Sequence, residues 1–329
     1  MNWKPVLVVL GAVLLAGCSG APTPTPTPAE KSFTAPRAIP AGMGSGLDDG
    51  VFPRTVKHFH GATEIPASPA RIAVISTGQL DGLLTLGLRP VGTTRARGAD
   101  LIPAYLLKAF PEQAAALKRL VDLGQRVEPA LEAVAAVKPD LILANSTADD
   151  AVLSQLSAIA PTVVTGGTGV NWKKDFLLLA DAVGRTQQAA EVLADFHHDA
   201  AALGAGLSPA PTVSFTRSTP DGIRIFGVAS FTGSIAEDAG LARPPSQQFD
   251  DTSRDLSAEE LPQVDANWVF YGVQGGAPSA AALTGSPLWP RLSAVAAGQA
   301  RGVDDDVWYL NAGPNAARQV LTELAAVLG

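Results

Sequence analysis

Short apolar runs alternate with helical patterns along the first half of the chain. Residues 71–76, 141–144 and 161–165 are rich in aliphatic and β-branched side chains and lie between turn-forming residues, which predicts buried strands. The intervening segments predict helices, which cover residues 80–86, 131–137 and 153–159. Strands that alternate with helices favour an α/β domain with a mainly parallel sheet.

A long amphipathic helix is predicted to begin at Thr186, which is a suitable N-cap residue. Its apolar side chains are spaced three and four residues apart and share one face, formed by Leu193, Phe196, Ala200, Leu203 and Leu207. About 20 residues at about 1.5 Å each reach about 30 Å, the width of a small domain. Such a helix either joins two domains or packs within one.

The order of residues in the first half recurs in the second half. Glu132 lies nine residues before Leu141, where one apolar strand begins, and Glu259 lies nine residues before Trp268, where another begins. Two lobes of similar order, joined by the long helix, are the simplest architecture with this repetition. Because ligands of open α/β sheets bind beyond the carboxyl ends of the strands, two facing lobes form a ligand cleft.

The first eighteen residues have the features of an export signal. Lys4 precedes an apolar run over residues 6–15, about half of the roughly 20 residues that a membrane span needs. The sequence Leu-Ala-Gly-Cys at residues 15–18 resembles the lipobox of bacterial lipoproteins, in which the cysteine carries the lipid and becomes the N-terminus. Cys18 is the only cysteine, so an intrachain disulfide is excluded. The alternative is an ordinary cleaved signal with an incidental cysteine.

Composition separates a linker from the folded part. Proline alternates with threonine over residues 22–28, and the chain up to residue 50 is rich in Gly, Ala and Pro without periodicity, which predicts an extended tether. The predicted organisation is a lipoprotein signal peptide (1–18), a tether (19–50), an N-terminal α/β lobe (51–170), a connecting segment with the long helix (171–207) and a C-terminal α/β lobe (208–329).

Charge and motifs exclude several classes of function. The net charge is −7, the pI is about 5.1 and no basic run occurs, so nucleic acid is not an expected partner. The sequence contains no G-x-S-x-G, P-loop or H-E-x-x-H motif, which argues against an enzyme. The four histidines do not cluster with carboxylates, so we expect no metal bound by the protein itself.

Several ordered segments carry a family resemblance that covers the chain from about residue 54 to the end. The most specific are residues 57–66, 131–142, 222–226, 230–234, 240–244 and 303–308. Together, behind the lipobox, they resemble the siderophore, haem and cobalamin solute-binding lipoproteins of ABC importers. The resemblance implies two Rossmann-like α/β lobes joined by a single long α-helix, with the ligand cleft between them, the class III solute-binding fold.

The resemblance also implies a function and a location. We expect an extracytoplasmic protein that captures a ferric siderophore and delivers it to a membrane permease. It would be a monomer without a cofactor, anchored through lipid on Cys18 at the outer face of the cytoplasmic membrane. In this family a glutamate on each lobe pairs with permease arginines, and Glu132 and Glu259 match these positions. The adjacent Glu260 is the alternative for the second position.

A ferric siderophore already saturates its iron, so the cleft needs guanidinium groups and aromatic faces rather than metal ligands. The acidic triplet over residues 304–306 is accordingly interpreted as a turn before a strand. Arg224 is the leading candidate, and we expect Arg224→Ala to weaken ligand binding without unfolding the protein. The other ligand-binding candidates lie where strands should end or match ligand-facing segments of the family, and they are Thr77, Gln79, Arg95, Trp172, Arg217, Phe231, Tyr271 and Trp308.

Three alternatives remain open from the sequence. The same cleft could hold haem, with Tyr271 as a possible iron ligand, or another iron chelate or cobalamin. A cell-envelope enzyme would need a catalytic constellation that the sequence does not display. A non-transport envelope protein could use the same fold to bind a partner.

Overall fold

The computed structural model describes residues 1–3, 34–274 and 276–329, except for the side chain of Thr77. The unit that contains nearly all of them spans Phe33–Gly329. The predicted signal peptide after residue 3, with Cys18, and the proline-rich stretch lie outside the described residues. Within the described part of the chain, no helix is both long and apolar enough to cross a membrane.

The N-lobe, residues 54–165, is built on a six-stranded sheet. Its central strands are buried on both faces, as in Ile72–Val74 and Leu141–Asn145, because helices cover the sheet on both sides. The strands are β1 Arg54–His58, β2 Gly61–Ile65, β3 Ile72–Val74, β4 Gly92–Arg95, β5 Val121–Gln125, β6 Glu128–Pro129, β7 Leu141–Asn145 and β8 Thr162–Thr165. The helices are α1 Thr77–Thr85, α2 Ala104–Ala109, α3 Ala114–Leu117, α4 Leu131–Ala136 and α5 Asp150–Ile159.

The N-lobe sheet has the order β6-β5-β4-β3-β7-β8. All of its pairs are parallel except β5 with β6, and β1 and β2 form a separate antiparallel hairpin. The hairpin packs on the edge strand β8, where Phe59 donates its N–H to the carbonyl of Val164. The parallel order directs the carboxyl ends of β3, β7 and β8 to one edge of the sheet, where a ligand site is expected.

Two helices follow the N-lobe, and the longer of them joins it to the C-lobe. Helix α6 (Trp172–Ala182) is almost entirely buried, and α7 (Thr186–Gly206) buries Leu193, Phe196 and Ala200 on one face as predicted. Thr186 is the first helical residue rather than the N-cap. The cap is supplied by Asp49, whose carboxylate accepts the N–H groups of Thr186 (2.6 Å) and Gln187 (3.0 Å).

The C-lobe, residues 213–328, contains a five-stranded sheet of order β11-β10-β9-β12-β13. Strands β9, β12 and β13 are parallel, whereas β10 and β11 are antiparallel to their neighbours. The elements are β9 Val213–Thr219, β10 Gly222–Phe226, α8 Phe231–Asp238, β11 Ser253–Leu256, β12 Trp268–Val273, α9 Ala277–Thr284, α10 Ser293–Ala296, β13 Ala300–Gly302 and α11 Pro314–Leu328.

The predicted fold class, two α/β lobes joined by one long helix, is confirmed. Leu141 and Trp268 each begin a strand, β7 and β12, and each of these strands lies parallel beside its lobe's first parallel strand. One local expectation is wrong: the acidic triplet at residues 304–306 leads into a π-helix, Asp306–Leu310, and not into a strand.

The segment of residues 34–50, here called the strap, runs along the folded unit instead of forming a tether. Ala35 is 1% exposed and donates its N–H to Glu237 of α8. Ser45 donates to Asp181 of α6 through its N–H (2.7 Å) and its hydroxyl (2.6 Å). Proline and glycine prevent a regular element here, but polar side chains still bind helix ends. The tether predicted over residues 19–50 therefore does not hold for residues 34–50.

A buried carboxylate links the N-lobe to the last helix. Asp81 of α1 is fully buried, and its carboxylate accepts the N–H groups of Asn315 and Ala316 at the start of α11, both at 2.9 Å. The Asn315 side chain (3.0 Å) and the Tyr105 hydroxyl (2.9 Å) also donate to it. Burial raises the pKa of Asp81 against the opposing effect of these donors. The carboxylate thus caps α11 across the lobe boundary.

Two glycines allow the lobes to approach each other closely. A Cβ on Gly78 of α1 would lie 2.6 Å from the carbonyl oxygen of Ala312. A Cβ on Gly169, in the loop before α6, would lie 2.7 Å from the Cβ of Phe231 at the start of α8. Both contacts need a residue without a side chain, so the lobes touch on two sides of the space between them.

Candidate functional site

A cavity of about 420 Å³ lies between the two lobes. The N-lobe wall comes from residues that follow β3, β7 and β8 and from α6, whereas the C-lobe wall comes from the ends of β10 and α8 and from the segment 308–314. On the N-lobe side the site therefore lies at the carboxyl ends of the parallel strands β3, β7 and β8, where an open α/β sheet is expected to bind its ligand. On the C-lobe side the strand end at the cavity belongs to β10, which is antiparallel to its neighbours.

Neutral polar side chains form the N-lobe wall. The Gln79 side-chain amide donates from Nε2 to the carbonyl of Ala144 (2.7 Å) and to the Thr165 hydroxyl (3.2 Å). Asn145 donates from Nδ2 to the Ser76 hydroxyl at 2.8 Å. These bonds tie the ends of α1, β7 and β8 together and fix the orientation of each amide.

Aromatic rings form much of the remaining wall. Trp172 of α6 meets Phe231 of α8 edge to face, with centroids 5.9 Å apart, and its indole N–H donates to Ser234 at 3.0 Å across the lobe boundary. Tyr309 packs against Phe226 at 4.7 Å. Trp172 and Trp308 are only 2% and 0% exposed, so they shape the wall chiefly as packed side chains.

Arg126 places a positively charged guanidinium at the cavity wall. It follows β5 in the β5–β6 turn, lines the cavity beside Val127, and forms no ion pair with any residue that the structure describes. Arg126 is exposed as a whole residue, and partial burial of its guanidinium together with the charge of Arg217 lowers its pKa from the usual value. A guanidinium without a protein carboxylate is available to an anionic ligand. Sequence reasoning missed Arg126 because it did not predict β5, whose end would have placed this arginine at the cleft.

Asp175 places a carboxyl group at the cavity wall, a group of opposite charge type to the guanidinium of Arg126. Its two oxygens accept the N–H groups of Gly166 and Gly167, each at 2.8 Å, and its side chain lines the cavity. Burial raises the pKa of Asp175 to about 7, although both backbone donors oppose this shift. Near neutral pH the group is therefore divided between its neutral and ionised forms. Sequence reasoning did not single out Asp175, whose position in the first turn of α6 was the only available signal.

Four sequence candidates line the cavity: Gln79, Trp172, Phe231 and Trp308. The backbone of Thr77 lies in α1 beside the lining residues Ser76 and Gly78, but its side chain is outside the described part of the structure.

The structure does not bring the three candidate arginines to the cavity lining. Arg217 forms a bidentate ion pair with Asp305, in which Nε donates to Oδ1 at 2.6 Å and Nη2 donates to Oδ2 at 2.5 Å. The other two also pair with carboxylates, Arg224 with Asp255 at 2.7 Å and Arg95 with Asp122 at 3.2 Å.

Arg224, the leading sequence candidate, lies between Arg217 and Asp255 across adjacent strands, and direct cross-strand neighbours share one face of a sheet. The hydrogen bond with Asp255 raises the pKa of Arg224. The pairing partner lay on a strand that the sequence did not predict, so this interaction was not foreseeable from spacing. Tyr271 meets Trp289 edge to face at 5.1 Å and likewise does not line the cavity.

The two candidate docking carboxylates lie on the surface of different lobes. Glu132 is exposed in the first turn of α4, and Glu259 is exposed in the 3₁₀ segment Ala258–Val264. Glu260 is engaged locally, because its carboxylate accepts the Ser257 N–H and hydroxyl at 3.0 Å, which lowers the pKa of Glu260. Glu259 makes no such bond with any residue that the structure describes, so it is the better candidate of the two neighbours.

Among residues 1–3, 34–274 and 276–329, no three His, Cys, Asp or Glu side chains are grouped so that they could hold a metal ion.

Comparisons with known proteins agree on one family. The sequence profile of the family described as Periplasmic binding protein matches residues 72–307. The probable siderophore-binding lipoprotein YfiY of Bacillus subtilis is 35% identical over 289 residues, which cover 82% of this chain and 86% of YfiY. The Fe(3+) dicitrate-binding periplasmic protein FecB of Escherichia coli is 25% identical over 279 residues, 84% of this chain and 90% of FecB. The crystal structure of Staphylococcus aureus SirA complexed with staphyloferrin B superposes with a TM-score of 0.72 at 28% identity, covering 83% of this chain and 98% of SirA.

Proposed function

This chain belongs to the periplasmic binding protein family, and from that premise we propose that it captures an iron(III) siderophore outside the cytoplasm and delivers it to the permease of an ABC importer. The expected resemblance to siderophore-binding lipoproteins is confirmed by YfiY and SirA. The proposal is a binding function without a catalytic step.

The observation that carries the proposal is the cavity between the lobes with one unpaired guanidinium at its wall. Arg126 supplies charge-assisted donors for anionic oxygens, and Trp172, Phe231 and Tyr309 supply apolar and aromatic surface for an organic shell. A ferric siderophore presents both kinds of surface and keeps its iron fully coordinated. The cavity therefore matches a chelate rather than a free ion.

Haem fits this cavity less well than a ferric siderophore does. Haem iron needs an axial ligand such as His, Tyr, Met or Cys. No histidine or methionine is among the residues that line the described cavity. Tyr309 lines it, but its hydroxyl donates to the carbonyl of Phe270 at 3.0 Å, and Tyr271 lies elsewhere.

Tryptophan fluorescence provides the test of ligand class. Trp172 and Trp308 lie in the cavity wall, so a bound ferric chelate should quench their emission. A soluble form comprising residues 19–329 would be titrated with ferric citrate, ferric siderophores, haem and cobalamin. Saturable quenching by a ferric chelate at sub-micromolar concentration supports the proposal. Saturation by haem or cobalamin alone would contradict it, as would the absence of any binding.

Arg126→Ala should weaken binding of the preferred anionic ferric chelate about tenfold, because it removes a charge-assisted contact that no other cavity residue replaces. The measurement is the dissociation constant from the same quenching titration. Arg318→Ala is the matched control: it removes an exposed guanidinium that pairs with Asp199 between α11 and α7, away from the cavity, and should change affinity less than twofold. Equal changes in the dissociation constant for the two substitutions would contradict a role of Arg126 in ligand binding.

We further propose that Glu132 and Glu259 dock the loaded protein on the permease. Both are exposed, one on each lobe, and two separated carboxylates fix orientation against basic sockets. The double substitution Glu132→Gln with Glu259→Gln should lower the rate of radioactive iron uptake about tenfold in cells that depend on this protein. Ligand affinity should change less than twofold.

Glu260→Gln is the control for the docking pair, because a glutamine keeps the capping interaction with Ser257 and removes the neighbouring charge. It should leave uptake near the wild-type rate. Normal uptake by the double variant would show that docking uses other residues.

The location proposed for this protein is the outer face of the cytoplasmic membrane, with lipid on Cys18, and it is proposed to act as a monomer. Support comes from the lipobox at residues 15–18 and from the lipoprotein relative YfiY.

A further inference from the structure

One buried polar atom in the cavity wall has no hydrogen-bond partner in the described part of the protein. Gln79 is 6% exposed and lines the cavity, and its Oε1 accepts no hydrogen bond from any residue that the structure describes. Burial of an amide oxygen without a donor is unfavourable, and buried side-chain oxygens normally find one. The atom is therefore suited to a donor that comes from a ligand.

The Gln79 amide cannot turn its oxygen away from the cavity at low cost. Its Nε2 donates to a carbonyl oxygen, that of Ala144, which cannot itself donate, and to the hydroxyl of Thr165. Exchanging the amide ends would place Oε1 against the Ala144 carbonyl oxygen. The backbone is also held, because Gly78 packs against Ala312 of the opposite lobe. The acceptor is thus held in position by contacts within the protein.

The neighbouring polar groups reinforce this acceptor character. One hydrogen of Asn145 Nδ2 is directed to the Ser76 hydroxyl, and the Thr165 hydroxyl donates to the carbonyl of Ala144, inside the wall. Asp175 adds a carboxyl group to the same lobe's contribution to the cavity lining. The N-lobe wall around Gln79 therefore offers oxygen acceptors, whereas Arg126 offers donors.

We propose that Gln79 Oε1 accepts a hydrogen bond from an N–H or O–H group on the organic part of the ligand. This inference rests on the proposed capture of a ferric chelate and narrows its chemical class. The selected ligands carry a donor, such as a secondary amide, beside the anionic groups that Arg126 binds. A chelate that presents only carboxylate oxygens to this wall would place acceptor against acceptor.

A pair of probes that differ only in the donor tests the proposal. The probes are the iron(III) complexes of a bis-citrate chelator joined through secondary amides and of the same chelator with both amide nitrogens methylated. Wild-type protein should bind the secondary amide about tenfold more tightly in the quenching titration. Gln79→Met removes the acceptor at similar side-chain length and should reduce this preference to about twofold or less.

Gln274→Met makes the same chemical change outside the cavity lining and should keep the full preference. Thermal unfolding of all three proteins verifies that the variants fold. A persistent preference in Gln79→Met would show that the methyl groups act by size and would overturn the role of Gln79. Equal affinity of wild type for both probes would also overturn it.

The outcomes separate this inference from the proposed function. Binding of ferric citrate but of neither amide probe would refute the donor selection and leave iron-chelate capture standing. Failure to bind any ferric chelate would refute both.

Discussion

Asp81→Ala should lower the free energy of unfolding by about 3–5 kcal/mol, because it removes one acceptor group from several buried donors at once. The N–H groups of Asn315 and Ala316, the Asn315 amide and the Tyr105 hydroxyl would lose their shared partner. Helix α11 would also lose its N-terminal cap, and with it the bond that joins it to α1. Chemical denaturation followed by circular dichroism measures the change.

The control for Asp81 is an exposed aspartate that also contacts α11. Asp199→Ala breaks an exposed ion pair with Arg318 and should cost no more than about 1 kcal/mol. A loss below about 1 kcal/mol in Asp81→Ala would contradict the assigned role, since buried donors left without a partner cannot be that inexpensive.

Removal of the strap should have the second largest effect. A protein that begins at residue 51 should be less stable by about 3 kcal/mol than one that begins at residue 34. The truncated protein loses the Asp49 cap of α7, both Ser45 bonds to Asp181 and the Arg37–Asp238 ion pair at 2.5 Å. Asp238 still pairs with the buried Lys173 after Arg37 is removed, so its carboxylate loses one of its cationic partners and keeps another. Denaturation midpoints of the two proteins provide the measurement.

Two point variants resolve which part of the strap matters. Asp49→Ala should account for about 1 kcal/mol, the usual value of an N-cap. Leu47→Ala changes a 40% exposed side chain in the same segment and should stay within about 0.5 kcal/mol. Identical midpoints for the proteins that begin at residues 34 and 51 would show that the strap contacts add nothing to stability.

The fold was predictable where local sequence and burial agree. Residues 141–144 and 72–74 are apolar and buried on both faces, so composition alone marks them as central parallel strands. The long helix was equally visible, because Leu193, Phe196 and Ala200 keep one apolar face over its length. Its N-cap was mispredicted because Asp49 lies 137 residues away from Thr186 in the chain.

The candidate site was predictable only in part, because contacts between residues far apart in the chain decide which side chains reach it. Gln79 and Trp172 followed from their positions after a strand and at the start of the connection between the lobes. Whether an arginine is free or paired depends on tertiary neighbours: Arg217 meets Asp305, 88 residues away, whereas Arg126 meets none among the described residues. The side chain of Asp175 is held at the cavity by hydrogen bonds from the N–H groups of Gly166 and Gly167. No rule of sequence spacing predicts these bonds.

The contacts on both sides of the cavity have a thermodynamic consequence. Asp81 with α11 holds one side, and Gly169 against Phe231 holds the other, through contacts between protein atoms alone. A preorganised cavity of this kind spends little of its binding free energy on ordering the protein. The heat-capacity change of binding should then reflect the surface of the cavity and the ligand alone, without a contribution from newly buried surface between the lobes.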